Sequence, residues 1–146
     1  MFEKTRERYF PVELIPGIMA EAVDQQTIAA VWAELSDDME TPFANLGLYT
    51  LPGEQRPRTR LLREVHGRLH HEYILFYNEV DQPVGWSYGL MHDAITFFMS
   101  WSAILPAYRR RGIYSAFLRY FLPYLQALGY QRVTSNHMVT NRKRDA

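Results

Sequence analysis

Apolar positions follow two different periods along the chain. From residue 24 to 35, DQQTIAAVWAEL sets Ile28, Val31, Trp32 and Leu35 three and four apart, the spacing of one buried helix face. A polar connection containing Pro and Gly follows (Ser36 to Pro57). A second helix is expected over 57–71, carried by Leu61, Leu62, Val65 and Leu69 and weakened by Gly67. The pattern then changes. EYILFYNEV (72–80) and VGWSYGLM (84–91) are aromatic and β-branched, with DQP as a turn between them, and AITFFMSWSAIL (94–105) follows the dipeptide HD. Three strands joined by short turns predict an antiparallel meander.

The helical period returns most clearly after residue 112. Ile113, Ala116, Phe117, Tyr120, Phe121, Tyr124, Leu125 and Leu128 form one unbroken stripe at spacings of three and four. Pro123 should kink or loosen this helix, and Gly129 should stop it in the left-handed conformation. QRVTSN (131–136) then reads as a strand. A strand, a helix and a strand make a right-handed crossover whose second strand runs parallel to the first. The predicted fold is α/β (α+β): a mixed, mostly antiparallel sheet with flanking helices and one strand–helix–strand crossover.

Composition narrows the setting without choosing a function. The 146 residues suit a single domain, and 47% hydrophobic with 22% charged residues is an ordinary globular balance. Lys plus Arg and Asp plus Glu number 16 each, so any anion site must be local. Cysteine is absent, which removes disulfides, thiolate zinc sites and a cysteine nucleophile. The opening MFEKTRERYF is too charged for a signal peptide, and no apolar run reaches membrane-spanning length. A cytoplasmic location with no membrane partner is expected.

One short stretch conflicts with helix electrostatics. In ILPAYRRRGIYSAFLRYF, Arg109, Arg110 and Arg111 stand just before the long helix, where partial positive charge favours acids. A bound diphosphate removes the conflict. Arg110 through Ser115 would then turn backbone N–H groups toward it, and Gly112 would let the chain come close. A solvated basic turn is the plain alternative. A nucleic-acid contact has little support, because the other basic residues are scattered among acids.

This stretch resembles the acetyl-CoA signature of the GNAT family of N-acetyltransferases: Arg or Gln, two residues, Gly, one residue, then Gly or Ala, after an apolar-x-Pro-x-Tyr run. Arg109 takes the first position and Gly112 the fourth. The similarity extends over about residues 73–141. It implies the GNAT-like acyl-CoA N-acyltransferase fold and a direct transfer of acetyl from acetyl-CoA, as co-substrate, to a primary amine. By the resemblance, the backbone of Ser102, Ala103 and Ile104 would pair with the pantetheine arm and the acetyl carbonyl. Arg109, Arg110, Arg111, Gly112, Ile113, Tyr114 and Ser115 would hold the pyrophosphate, and Asn141 would contact the cofactor. The acceptor is a small molecule or a protein amine, and no metal is implied.

The chain also departs from that pattern. Tyr114 stands where the family has Gly or Ala, and must turn aside to spare the phosphates. Asn136 stands where some members carry a general-base Glu. The usual helix with an acid Tyr, and the closing strands, would fall beyond Ala146, so residues 1–146 are read as one domain incomplete at its C-terminus. A homodimer is expected to cover the edge near Val133. For a base within the chain, Asp93 is the candidate chosen, with His92, Glu72 and Glu79 as others. His66 and His70 lie four apart but lack a third ligand at matching spacing. Ser100, Ser102 and Ser115 show no His–Asp partners for hydrolase chemistry. The aromatic run FFMSW is read as core before pocket. The alternative function is a non-catalytic acyl-CoA-binding or assembly module that retains only the phosphate turn.

Overall fold

The structure is a computed structural model that describes residues 2–35 and 67–135. Its elements are α1 (Phe2–Tyr9), β1 (Val12–Ile15), β2 (Ile18–Val23), α2 (Gln25–Leu35), β3 (His71–Tyr77), β4 (Pro83–Asp93), β5 (Thr96–Ile104), a 3-10 turn (Pro106–Tyr108), α3 (Ile113–Ala127) and β6 (Arg132–Ser135). The six strands form one sheet in sequence order. Every neighbouring pair is antiparallel except β5 and β6, which α3 joins as the parallel crossover. The mixed sheet and the meander expected from the sequence are therefore both present.

The helix α3 closes one face of the sheet. Phe117, Phe121, Tyr124 and Leu125 are almost fully buried against Ile74, Phe76, Val84 and Phe97. Burying each such side chain is worth about 1.5–3 kcal/mol. That outweighs the absent side-chain cap at Gly112, since a cap contributes only about 1 kcal/mol. Gly129 has φ 106°, and the helix ends there as a Schellman motif: Tyr130 N–H donates to the Leu125 carbonyl (3.1 Å) and Gly129 N–H to Gln126 (3.0 Å). Pro123 does not end the helix, which continues to Ala127. It lies on the exposed side, so the Arg119 carbonyl that loses its donor faces water.

On the other face, α2 starts at Asp24, whose Oδ1 accepts the Thr27 N–H at 2.8 Å as an N-cap. Trp32 then packs on Trp86, Tyr88 and Trp101, with ring centroids 4.9–6.4 Å apart. The expected helix over 57–71 lies outside the described residues except for its last five, and His71 already opens β3.

Two elements were not anticipated. The β1–β2 hairpin turns on Pro16–Gly17, with Gly17 at φ 86°. The charged N-terminus forms α1, which is held through a buried carboxylate. Glu72, fully buried, accepts hydrogen bonds from Arg6 and Tyr124, and from His70 Nε2 at 2.9 Å. Phe2 stacks on the His70 ring at 4.0 Å, and His70 Nδ1 meets the Tyr130 hydroxyl. Burial pushes the Glu72 carboxyl up, but the bonds from His70, Arg6 and Tyr124 outweigh it and hold it below the usual range.

Candidate functional site

The end of β5 is shaped by a bulge and a glycine. Tyr88 pairs with Trp101 but Gly89 pairs with Met99, so Ser100 is an extra residue that bends the strand. Among the described residues β6 pairs with Thr96 through Met99, just ahead of the bend. Beyond it, β5 stays tied to β4. A Cβ on Gly85 would lie 2.4 Å from the Ala103 carbonyl oxygen, so only glycine allows that close approach.

Backbone direction along this end follows from one hydrogen bond. Leu105 N–H donates to the Val84 carbonyl at 2.8 Å, and antiparallel pairs alternate between bonded and non-bonded. Trp86 and Ala103 thus bond each other, while Ser102 and Ile104 turn their peptide groups to the edge away from β4. The Ser102 hydroxyl meets that of Ser87 at 2.8 Å.

The chain then reverses in eight residues. Pro106–Tyr108 makes the 3-10 turn, closed by the Tyr108 N–H on the Leu105 carbonyl at 2.9 Å. Arg109 folds back, and its Nε donates to the Ile104 carbonyl at 2.9 Å. Arg110 adopts φ 66° and Gly112 φ 79°, two left-handed residues that steer the backbone into α3. For Arg110 this costs about 1–2 kcal/mol, the strain expected at a functional turn. The first intrahelical bond runs from Ala116 N–H to the Gly112 carbonyl at 3.0 Å. The N–H groups of Ile113, Tyr114 and Ser115 therefore have no helical partner, and no acid occupies the first turn. A Cβ built on Gly112 meets nothing within 4 Å among the described residues, so the turn is open at that position. Such an arrangement attracts an anion.

The sequence profile of the Acetyltransferase (GNAT) family matches residues 28–145. The chain belongs to the GNAT acetyltransferase family. No curated protein sequence matches it. Among solved structures, a GNAT family acetyltransferase of Staphylococcus aureus superposes with TM-score 0.54 at 15% identity, over 86% of this chain and 89% of that one. An aminoglycoside antibiotic 6'-N-acetyltransferase of Acinetobacter baumannii gives 0.55 at 14%, over 88% and 85%. An aminoglycoside N-acetyltransferase in complex with CoA gives 0.55 at 13%, over 86% and 84%. At these identities the likeness is one of fold.

Within this GNAT domain, Ser102, Ala103, Ile104, Arg109, Arg110, Arg111, Gly112, Ile113, Tyr114 and Ser115 gather at one end of the sheet. Tyr114 turns its ring toward the core, with its centroid 6.2 Å from that of Phe117. Asn136 and Asn141 lie outside the described residues.

Asp93 is not brought to this end. It closes the β4–β5 hairpin opposite Thr96, eight strand residues or roughly 26 Å from Ile104. There its Oδ1 accepts the Ile95 N–H at 2.9 Å, a turn contact that holds its carboxyl below the ordinary range. The reason is topological: a residue at the start of a strand cannot share a site with the strand's far end. His92 shares that hairpin, Glu72 is committed to the α1 network, and Glu79 lies over Gly17 of the β1–β2 turn.

Sequence reasoning missed Tyr108 and Asn78. The Asn78 Nδ2 donates to the Tyr108 hydroxyl at 3.0 Å, joining the β3–β4 hairpin to the turn. Tyr108 had a signal in the Pro-x-Tyr run; Asn78 had none.

Proposed function

We propose that this GNAT domain, residues 1–146 taken as one unit, binds acetyl-CoA and transfers its acetyl group to a primary amine. The observation that carries the reading is the left-handed turn at Arg110 and Gly112, which leaves three helix N–H groups without helical partners beside a bulged strand end. The residues fit a diphosphate. Ile113, Tyr114 and Ser115 offer N–H donors, Arg110 and Arg111 offer charge, and Gly112 offers room. The outward edge of Ser102 and Ile104, where the Ile104 carbonyl is held by Arg109 and its N–H turns outward, is the track proposed for an extended amide chain such as pantetheine. The Arg109 guanidinium, folded onto Ile104, braces the turn.

Bound acetyl-CoA supplies an acyl group activated as a thioester. The protein's part is to hold that end of the cofactor along β5 and to offer an N–H where negative charge develops on the carbonyl oxygen. The aromatic face of Trp32, Trp86 and Trp101 covers the α2 side of the same strands. An amino-bearing small molecule, the class that the aminoglycoside enzymes take, is the first acceptor to test. The cytoplasm, where acetyl-CoA is made and used, is the proposed location. No helix among the described residues is long and apolar enough to cross a membrane. The edge at β6, where Val133 is 37% exposed, is the proposed homodimer contact, checked by light scattering.

One observation favours the rival reading of a non-catalytic acyl-CoA module: Asp93 and Glu72 lie away from the end of β5, and Glu79, in the hairpin at that end, is turned onto Gly17. Thiol release decides between them. An enzyme liberates free CoA from acetyl-CoA only when an amine is added. A module binds acetyl-CoA and leaves it intact across an amine panel.

A further inference from the structure

The three arginines do not share one environment, and the difference identifies a positioning residue. Arg109 is spent on the Ile104 carbonyl. The Arg111 guanidinium carbon stands 4.9 Å from the centroid of the Tyr108 ring, within reach of a cation–π contact. That ring is fixed at its far end by the Asn78 Nδ2, which donates to the hydroxyl at 3.0 Å. Asn78 is itself fixed: its Oδ1 accepts the Val80 N–H at 3.0 Å and the Gln82 N–H at 2.9 Å.

We propose that Tyr108, locked by Asn78, is a positioning residue that holds Arg111 ready for the cofactor's phosphates. The inference rests on the acetyl-CoA reading and deepens it by making the β3–β4 hairpin part of the cofactor end. An exposed arginine loses side-chain freedom when it binds, at a cost of about 0.5–1.5 kcal/mol. A guanidinium already stacked on a fixed ring has lost much of that freedom beforehand. Its neighbours at this turn, Arg109 and Arg110, are of the same sign, so the aromatic face also keeps Arg111 at the helix start against their repulsion.

The test is a double-mutant cycle on acetyl-CoA binding, read by calorimetry, with thermal melting of every variant. Tyr108→Leu should raise Kd by about 2- to 12-fold, the range that 0.5–1.5 kcal/mol corresponds to. Tyr108→Phe, which keeps the ring and loses the Asn78 bond, should give a smaller rise and serves if Tyr108→Leu fails to fold. In the Arg111→Gln background, neither change should weaken binding further. Additive losses in that background would show that Tyr108 supports only the fold, and would overturn the proposal. Absence of acetyl-CoA binding to the wild-type protein would overturn the functional reading, and the proposal with it.

Discussion

Replacing Gly112 separates what the turn costs the fold from what it gives a ligand. At φ 79° an alanine is in the left-handed region, at a cost of about 1–2 kcal/mol. No steric charge adds to this, since the new Cβ meets nothing within 4 Å. A stiffer unfolded chain returns about 0.4–1 kcal/mol, which leaves a net loss near 1 kcal/mol. For a chain of this size that lowers Tm by about 2–4 °C. Ligand binding should suffer much more, because the strain falls on the turn that aims the Ile113, Tyr114 and Ser115 donors. Losing one charge-assisted hydrogen bond costs about 1.5–3 kcal/mol, so Kd for acetyl-CoA should rise about 10- to 150-fold. Gly112→Asp should exceed this, because its carboxylate repels the diphosphate. Melting and titration calorimetry on the same samples give both numbers. Unchanged affinity beside the expected small fall in Tm would refute the reasoning.

Two further outcomes concern the buried carboxylate. Glu72→Gln should destabilise the fold by about 3 kcal/mol, the low end for removing one partner of a buried pair, because the Arg6 side chain remains 30% exposed. Thermal melting should show a Tm lower by about 6–12 °C, with partial relief in an Arg6→Met background. Stability should also depend on pH in a defined sense. The Glu72 carboxyl is depressed in the folded state, so its contribution is present above the ordinary value of 4.5 and fades as pH falls below that. On the alkaline side, burial and the Glu72 charge push Tyr130 up to about 12, so the stability it lends is lost as pH rises from 10 toward 12. Melting curves across pH should show both limbs, and Glu72→Gln should flatten the acid one.

The elements legible in the sequence were those whose apolar period carries their own burial. The α3 stripe from Ile113 to Leu128 and the strands around Phe76, Trp86 and Phe97 bury what their spacing announces. The cofactor-end turn was legible because its chemistry is local, within a few residues of Gly112. What escaped is non-local. Of the α1 residues only Thr5 is buried, and the helix is held by partners such as Glu72, 66 residues away, which no window of sequence reveals. Glu72 is one of the base candidates in the sequence, but alternation with Ile74 and Phe76 puts it on the α3 side of the sheet. Asp93 failed for a related reason: its nearness to β5 along the chain is nearness to the wrong end of the strand.

The central claim is that the turn from Arg110 to Ser115 seats the diphosphate of acetyl-CoA. Titration calorimetry of the intact protein with acetyl-CoA, and then with CoA, tests it most directly. The account predicts saturable binding of both at one site per chain, weakened by added salt and by Gly112→Ala. No binding of either ligand, or equal binding to the Gly112→Asp variant, would contradict it.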